Sequence, residues 1–558
     1  MAKNTDEHIK TDVLIIGGGL AGVNAAIGAA EKGARVLVVD KGSLERSGNI
    51  GGGVDHFMAY LESGEQWDTR DAYLEYVSNM AKGAVNIKVQ EAVFCDELTS
   101  AINRYARIRN PLTQPDGNYY RTKSMGQPGP YWINFNGKNL KPRLAAEARR
   151  LGVKAIAKVA ITDLMVEQGN ITGAVGFNIK SGEFLVISAP STILATGNTN
   201  RLYGNITGMG FNTWLCPANT GGAQCMAFRA GATLANMEYT RFTVVPMGFS
   251  APGLNAFTGM GCIFINSSGE QFMYRYHPLG NKAPRYKLAE GVMTEILAGR
   301  GPVQVDCRHL TGKEMAHLKS TLGYDKDTLP DFVEQKQIDL ALEPLEVMLS
   351  EGMQAGPSEV CGSGIMIDEK CRASTPGLYA AGDCADQMRC VHISTTGGYL
   401  AGKQAALYAL NLKSTNKPTA KNISLFKERV YIPLERKQGT PADELEKEIR
   451  KTMAKHAGPI KNAGGLSSGL YRLNELKRLA ADLKADNYHE LMRVHEAEEL
   501  LQVGEITMKA ASFREESRFG IFHNRSDYPE TDNQKWLGQV LISNKDSNVV
   551  ATFKPLND

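Results

Sequence analysis

Closely spaced cysteines are missing from the sequence. The chain contains nine cysteines, but no two of them form a Cys-x-x-Cys pair. Zinc and iron–sulfur sites bring thiolates together at such short spacings, and the disulfide frameworks of small secreted domains use even numbers of cysteines. We therefore predict reduced, mostly buried thiols and no metal site within the chain.

Long apolar runs and a surplus of one charge are also missing. No run approaches the roughly 20 apolar residues that a membrane-spanning helix needs, so we expect no direct membrane insertion. The polar start MAKNTDEHIKTD has no signal-peptide core, which favours a cytoplasmic protein. The 63 basic and 60 acidic residues nearly balance, at a net charge of +3, which argues against nucleic acid as a partner.

The first strong motif is a dinucleotide-binding turn near the N-terminus. The apolar run VLII is followed by Gly17, Gly19 and Gly22 in the pattern G-x-G-x-x-G, and then by an alanine-rich segment typical of a helix. The first glycine permits the turn, the second admits a pyrophosphate, and the third lets helix and strand pack closely. A second apolar run ends in Asp40, whose carboxylate would bond a ribose hydroxyl. An acid here fits both FAD and NAD.

The segments after Asp40 favour FAD. A glycine-rich loop, RSGNIGGG, follows where ordinary dehydrogenases continue with more strand–helix units. Farther along, STILATGN and GLYAAGDCAD each predict an apolar strand that ends in a turn of small residues. With these segments and the C-terminal REESRFGIFHNRSDYPETDNQKWL, the chain resembles flavoproteins of the succinate dehydrogenase and fumarate reductase superfamily. The segments ERSGNIGGG, WINFNGKNLKP and MEYTRF are most similar to the α subunit of adenylylsulfate reductase.

This resemblance implies an FAD cradle assembled from several distant segments, with the glycines of the loop under the isoalloxazine ring. The residues expected to bind FAD are Gly17, Gly19, Gly22, Asp40, Lys41, Ser47, Gly48, Asn49, Gly51, Gly52, Gly53, Ala160, Thr196, Gly197, Gly382, Asp383, Gly397 and Gly398. Many succinate dehydrogenases attach the flavin covalently to a histidine of this loop. The only histidine near the loop here, His56, comes after the glycines, so we expect non-covalent FAD.

Three residues are candidates for the catalytic face of the flavin. Arg285 matches the arginine that transfers a proton in fumarate reductases. An arginine is normally always charged, which makes binding and polarising an anionic substrate its simpler role. Arg241 lies where the adenylylsulfate reductase branch has a substrate-binding arginine. His392 matches a family histidine beside the flavin and the substrate, where an imidazole would donate to an anion.

Other positions depart from the family and limit the substrate. Ser394 to Thr396 stand where dicarboxylate enzymes have a carboxylate-binding arginine, and Thr243 replaces a histidine. These two losses make succinate or fumarate an unexpected substrate. Met58 replaces an asparagine of the adenylylsulfate reductase branch, and a thioether is a poor partner for an oxyanion. We therefore predict a small organic anion, such as an unsaturated or cyclic acid, in a site that is more apolar on one side.

The chain of 558 residues is too long for one core, so we expect several domains. The fold class predicted is α/β, with a discontinuous Rossmann-like FAD-binding domain, an inserted α+β capping domain and a C-terminal helical domain. The FAD-binding domain would take residues 1–235 and 350–430, and the capping domain residues 236–349. Residues 431–558 carry apolar residues at helical spacing and would form the helical domain.

The function expected is that of an FAD-dependent oxidoreductase. It would exchange electrons with a small anionic substrate at the flavin. Because the sequence has neither cluster ligands nor a second dinucleotide motif, the electrons would pass to or from another protein or a diffusible acceptor. The resemblance implies that this partner is an iron–sulfur, ferredoxin-like protein. Two alternatives remain open. One is an adenylylsulfate reductase α subunit, and the other is a flavin electron-transfer module of a larger complex that has no substrate of its own.

Overall fold

The computed structural model describes residues 7–204, 213, 215–249, 253–325, 328–387, 389–412 and 419–556. The helices are α1 Leu20–Ala30, α2 Arg70–Ala81, α3 Ile87–Val93, α4 Leu98–Arg107, α5 Leu140–Arg150, α6 Gly222–Arg229, α7 Leu254–Gly259, α8 Arg285–Leu297, α9 Gly312–Asp325, α10 Thr328–Gln335, α11 Cys390–Asn411, α12 Ala420–Glu435, α13 Ala442–His456, α14 Ala463–Ala480, α15 Tyr488–Phe513 and α16 Asn533–Trp536.

The strands are β1 Glu7–Lys10, β2 Val13–Ile16, β3 Val36–Asp40, β4 His56–Met58, β5 Tyr120–Thr122, β6 Trp132–Asn134, β7 Lys154–Ala157, β8 Val159–Glu167, β9 Asn170–Asn178, β10 Phe184–Ser188, β11 Ser191–Leu194, β12 Leu234–Ala235, β13 Thr240–Arg241, β14 Val244–Pro246, β15 Ile263–Ile265, β16 Val303–Asp306, β17 Leu345–Leu349, β18 Met353–Gln354, β19 Gly364–Ile365, β20 Leu378–Ala380, β21 Thr440–Pro441, β22 Ile460–Lys461, β23 Leu483–Lys484, β24 Asn524–Arg525, β25 Gly538–Lys545 and β26 Asn548–Pro555.

A parallel sheet in the order β20–β11–β2–β3–β7 forms the centre of the nucleotide-binding part. Strand β2 is buried along its whole length, as expected when both faces of a parallel sheet are covered. Its neighbours β11 and β20 come from segments far apart in the sequence, so the FAD-binding domain is built from discontinuous pieces. The predicted α/β fold class is confirmed.

Helices α1 and α11 lie unusually close together beside this sheet. A Cβ atom added at Gly402 would lie 2.0 Å from the carbonyl oxygen of Ala25, and one at Gly398 would lie 2.4 Å from that of Ala21. Only glycine permits this approach, because both obstacles are backbone atoms. The contact holds the N-terminus of α11 beside the turn that precedes α1.

A second, antiparallel sheet in the order β14–β17–β16–β15 forms the capping region, together with α8. The short pair β13–β18 lies next to it in sequence and brings Arg241 opposite Met353. This pairing places the segment after β18 close to Arg241. The boundaries of this domain at residues 236 and 349 remain predictions.

The C-terminal region combines helices with a β-hairpin. Helices α13, α14 and α15 pack on one another, as the helical spacing predicts. Strands β25 and β26 then form a hairpin whose first strand pairs with β12 in the FAD-binding part. The hairpin turn has positive φ angles at Asp546 and Ser547, which is typical of a type I′ turn. The sequence pattern did not predict this hairpin, and the expected boundary at residue 431 falls inside α12.

A membrane-spanning helix is not found among the residues that the structure describes, because none of their helices is both long and apolar enough.

Candidate functional site

A cavity of about 530 Å³ lies between the central sheet, the capping region and helix α15. Most of the residues predicted to bind FAD line it: Gly17, Gly19, Asp40, Lys41, Ser47, Gly48, Asn49, Ala160, Thr196, Gly197, Gly382 and Asp383. Two of the predicted catalytic residues, Arg241 and Arg285, line the same cavity. The remaining predicted residues do not line it: Gly22, Gly51, Gly52, Gly53, Gly397, Gly398 and His392.

The G-x-G-x-x-G turn has the geometry that its glycines suggest. Gly17 has a φ of 99°, and an added Cβ would lie 2.5 Å from the carbonyl oxygen of Ala195 on the segment that follows β11. A Cβ at Gly22 would lie 1.9 Å from the carbonyl oxygen of Gly17, so this glycine serves the packing of α1 on the turn. The residues present therefore fit a dinucleotide whose pyrophosphate lies at the N-terminus of α1.

Asp40 connects the turn with the glycine-rich loop. Its Oδ2 accepts a hydrogen bond from the amide of Gly18 at 2.6 Å, while Oδ1 accepts from the amide of Gly42 and from Oγ of Ser47, at 2.5 and 2.8 Å. A carboxylate has about four acceptor positions, so one is left for a ribose hydroxyl. Ser47 thus orients Asp40, and its predicted contact with FAD stays a prediction.

Lys141 stabilises the same glycine turn through its backbone carbonyl groups. This residue was not singled out from the sequence. Its Nζ donates to the carbonyl oxygens of Gly18 at 2.5 Å and of Gly19 at 3.3 Å. Burial lowers the pKa of Lys141 to about 7, although Asp40 and Glu45 act in the opposite direction. The segment NGKNLKP stood out only for its resemblance, because a single lysine at the start of a helix gives no sign of burial.

Lys41 is held by an ionic network that reaches into the C-terminal helices. Its Nζ donates to Glu496 of α15 at 2.8 Å and to the carbonyl oxygen of Ala218 at 2.7 Å. Glu496 also accepts from Arg201 at 3.0 Å. Burial alone would raise the pKa of Glu496, but Lys41 and Arg201 outweigh it and lower that pKa to about 2. Glu496 lines the cavity, so α15 contributes part of the cavity wall.

Asn49 links the glycine-rich loop to the other segments of the cradle. Its Nδ2 donates to Asp383 at 3.1 Å and to Oδ1 of Asn198 at 3.3 Å. Its Oδ1 accepts from Asn219 at 3.2 Å and from the amide of Cys216 at 3.0 Å. These four contacts fix the loop against the segments that follow β11 and β20, as a shared flavin site requires.

A buried cationic cluster lines the part of the cavity beneath the capping region. Arg285, the first residue of α8, donates from Nε to Glu359 at 2.5 Å, from Nη1 to Thr243 at 2.5 Å and from Nη2 to Asn255 at 2.7 Å. Arg241 donates to the same oxygen of Glu359 and to the carbonyl oxygen of Ser358. Thr243, which replaces a family histidine, therefore orients Arg285.

The arginines of this cluster outnumber its carboxylate and control the pKa of Glu359. Burial alone would raise the pKa of Glu359, but Arg241, Arg285 and Arg389 outweigh it and lower that pKa to about 2. Burial and the neighbouring Arg389 lower the pKa of Arg241 to about 9, which leaves it charged at neutral pH. The cluster thus holds three cations around one carboxylate.

Arg389 is a cavity-lining arginine that the sequence motifs did not single out. It precedes α11 and is only 2 % exposed. Its Nη1 donates to the carbonyl oxygen of Ala355, and its Nε has no hydrogen-bond partner among the described residues. Arg389 also forms no ion pair with any of the described residues. The family resemblance directs attention to an arginine after His392, whereas this one lies three positions before it.

His392 lies outside the cavity, in the first turn of α11. Its ring is surrounded by Phe94, Phe57 and Trp132 at centroid distances of 5.3, 6.1 and 6.1 Å. Neither ring nitrogen has a hydrogen-bond partner in the part of the chain that the structure describes. Burial lowers the pKa of His392 to about 3, so the imidazole is neutral. The catalytic role expected for it stays a prediction.

His56, and not Met58, forms part of the cavity wall at strand β4. Met58 was expected to make one side of the substrate site apolar. Met58 is fully buried in β4 and does not line the cavity, so it does not make the site apolar. His56 and Trp132 line the cavity with their rings 5.8 Å apart. Nδ1 of His56 lies 2.8 Å from Oδ1 of Asp55.

Comparison with known proteins gives matches along nearly the whole chain. Residues 12–397 match the FAD binding domain family, and residues 446–558 match the C-terminal domain of fumarate reductase flavoproteins. A CoM/CoB fumarate reductase subunit of Methanothermobacter marburgensis is 27% identical, over 97% of this chain and 98% of that relative. The succinate dehydrogenase flavoprotein subunit of Rickettsia bellii is 26% identical, over 98% of this chain and 96% of that relative.

Solved structures show the same fold. Adenylylsulfate reductase from Archaeoglobus fulgidus superposes with a TM-score of 0.87 at 24% identity, covering 99% of this chain and 97% of that one. A mutant form of the E. coli quinol fumarate reductase FrdA superposes with a TM-score of 0.82 at 20% identity, covering 98% of this chain and 97% of that one.

Proposed function

We propose that this chain is the catalytic component of a complex and acts on a small organic anion. It belongs to the FAD-binding flavoproteins of the fumarate reductase and succinate dehydrogenase superfamily and is an FAD-dependent oxidoreductase. When bound, FAD supplies the two-electron acceptor or donor. The observation that carries the proposal is the cluster of Arg241, Arg285 and Arg389 around Glu359.

The charges of this cluster favour a bound anion. A buried charge without a partner costs several kcal/mol. Within the described part of the chain, Glu359 accepts side-chain hydrogen bonds only from Arg241 and Arg285, so Arg389 has no carboxylate partner there. Asp383 also lines the cavity, but it accepts from Asn49 and from the amide of Cys390 rather than from an arginine. A bound carboxylate or other oxyanion would supply the missing negative charge.

Two of the arginines and His56 would have different roles toward the substrate. Arg285 is fixed by three acceptors, so it would hold one anionic group in a defined orientation beside the flavin. Arg389 keeps unused donor capacity and would bind through it. His56 places an imidazole on the cavity wall beside Asp55 and would exchange a proton with the substrate.

Non-covalent attachment of FAD forms part of the proposal. The histidine nearest to the glycine-rich loop in sequence, His56, follows the glycines and belongs to β4. Denaturing mass spectrometry of the purified flavoprotein should therefore give the mass of the bare chain, with the flavin in the supernatant. A chain heavier by one flavin would contradict this attachment.

An iron–sulfur protein is the proposed electron partner. The similar proteins from Methanothermobacter marburgensis and Rickettsia bellii are named as subunits, which supports a protein that works within a complex. The sequence provides neither Cys-x-x-Cys pairs nor a second G-x-G-x-x-G motif for NAD. Electrons would then leave or reach the flavin through a separate protein.

Anaerobic reoxidation of the reduced flavoprotein tests the proposal. The reduced protein would be mixed with fumarate, other unsaturated or cyclic acids, adenylylsulfate and an artificial acceptor, while the flavin absorbance is followed. Rapid reoxidation by an organic acid, lost in Arg285→Ala with flavin retained, is the expected result. Arg308→Ala, an exposed arginine of the capping region, is the matched control. Reoxidation by adenylylsulfate alone would favour the adenylylsulfate reductase alternative, and reoxidation by the artificial acceptor alone would favour an electron-transfer module.

A further inference from the structure

Lys141 carries a buried amino group that donates to backbone carbonyl groups. It is 1 % exposed, and its Nζ bonds to the oxygens of Gly18 and Gly19. No carboxylate within the described residues forms a salt bridge with it. Burying an ammonium group in this way is costly unless a negative charge lies within its reach.

The two carbonyl groups show where such a charge would lie. In a trans peptide, the C=O and N–H groups point in opposite directions. Lys141 is on the carbonyl side of the peptides that join Gly18 to Gly19 and Gly19 to Leu20. The amides of Gly19 and Leu20 therefore point away from it, and these two residues line the cavity at the N-terminus of α1. That N-terminus is the position for a pyrophosphate.

We propose that Lys141 is a positioning residue for FAD, which acts on the pyrophosphate through the two peptides of the glycine turn and takes up a proton from solvent when FAD binds. The protonated amine polarises the peptides so that their amides become stronger donors toward the anion. The pyrophosphate in turn supplies the negative charge that the buried ammonium lacks. The inference depends on FAD binding alone and not on the identity of the substrate.

The acidic residues near Lys141 do not replace the pyrophosphate as its negative partner. The acids that act on it are Asp40 on β3 and Glu45 in the loop that follows. Asp40 is already bonded to Gly18 and Gly42, and Glu45 forms an ion pair with Arg149. The first turn of α1 contributes no acidic residue. Without FAD, burial leaves Lys141 with a pKa of about 7, because these acids do not fully offset it.

The direction of the pH effect follows from linkage. The negative pyrophosphate raises the pKa of Lys141 above its value of about 7 in the FAD-free protein, since it favours the charged form. FAD affinity is then constant at lower pH, where both forms carry the proton. Above pH 7 the affinity falls roughly tenfold for each pH unit, until the pKa of the FAD-bound form is passed.

Titrating deflavinated protein with FAD from pH 6 to pH 9, with flavin fluorescence as the readout, tests the proposal. The natural protein should lose affinity as the pH rises above 7. Lys141→Met should bind FAD at least tenfold more weakly at pH 6.5 and show no such pH dependence. Lys141→Arg, which keeps its charge throughout this range, should bind as well at pH 9 as at pH 6.5. Lys32→Met, at an exposed lysine just after α1, is the matched control and should follow the natural protein.

A second readout needs no variant. Calorimetric titrations of the natural protein with FAD, in two buffers that differ in ionisation enthalpy, should report uptake of a fraction of a proton per FAD at pH 7.5. Absence of proton uptake would overturn the proposal. So would a Lys141→Met protein, folded by circular dichroism, that keeps the pH dependence of the natural protein.

Discussion

Nε of Arg285 lies 2.5 Å from the carboxylate oxygen of Glu359 that also accepts the hydrogen bond of Arg241. One oxygen atom thus joins an arginine at the start of α8 to an arginine of β13. The capping region and the strand pair β13–β18 are tied together at this atom. The arrangement makes Glu359 the counter-ion that allows two guanidinium groups to be buried side by side.

Replacing Glu359 with glutamine should destabilise the protein strongly. The variant keeps the size of the side chain but leaves Arg241 and Arg285 without their shared negative charge. Breaking a buried ion pair in this way costs about 3–5 kcal/mol. Chemical denaturation should show this loss in the free energy of unfolding. Glu270→Gln, in an exposed pair with Arg275, should leave it nearly unchanged.

Acid pH should lower the free energy of unfolding because Glu359 becomes protonated. The arginines hold the pKa of Glu359 at about 2 in the folded protein, against about 4.3 in an unfolded chain. Its contribution to stability is therefore complete above about pH 4.3 and is lost as the pH falls toward 2. The difference in unfolding free energy between the natural protein and Glu359→Gln should shrink across this window. A difference that stays constant between pH 5 and pH 3 would contradict the assignment.

Arg389→Met should separate substrate binding from cofactor binding. The variant removes a guanidinium that has spare donor capacity in the cavity wall, so the KM for an anionic substrate should rise at least tenfold. Flavin content should stay near that of the natural protein, because the hydrogen bonds that fix the cradle involve Asn49 and Asp40 instead. An unchanged KM together with a shifted flavin potential would place Arg389 at the flavin rather than at the substrate.

Gly402→Ala should damage the FAD-binding part from a distance. The new methyl group would lie 2.0 Å from the carbonyl oxygen of Ala25, so α11 must move away from α1. Overpacking of this kind costs about 1–3 kcal/mol and would shift the turn at the start of α1. Thermal unfolding temperature and retained flavin should both decrease. At Gly312, where an added Cβ meets no atom within 4 Å, the same substitution should have little effect.

Local motifs predicted the fold and many of the residues that line the cavity. Gly17, Gly19 and Asp40 could be found from sequence because a nucleotide turn imposes fixed spacings on neighbouring residues. Arg241 and Arg285 were found through resemblance, although their convergence on Glu359 depends on a pairing of strands far apart in the chain.

The residues that the sequence did not reveal are defined by burial rather than by spacing. Lys141 and Arg389 look like ordinary charged residues until the tertiary structure encloses them. His392 shows the opposite case, since resemblance singled it out, whereas aromatic rings enclose it and it does not line the cavity. Its catalytic role stays a prediction. The C-terminal hairpin was missed because its alternating pattern follows a long stretch with helical spacing.

The bond between Lys41 and Glu496 joins residues 455 positions apart. The glycine turn therefore leaves the ribosome long before α15 does. The wall that α15 contributes to the cavity cannot form until the chain has been made through that helix. Closure of the cavity on this side is thus a late step compared with formation of the glycine turn.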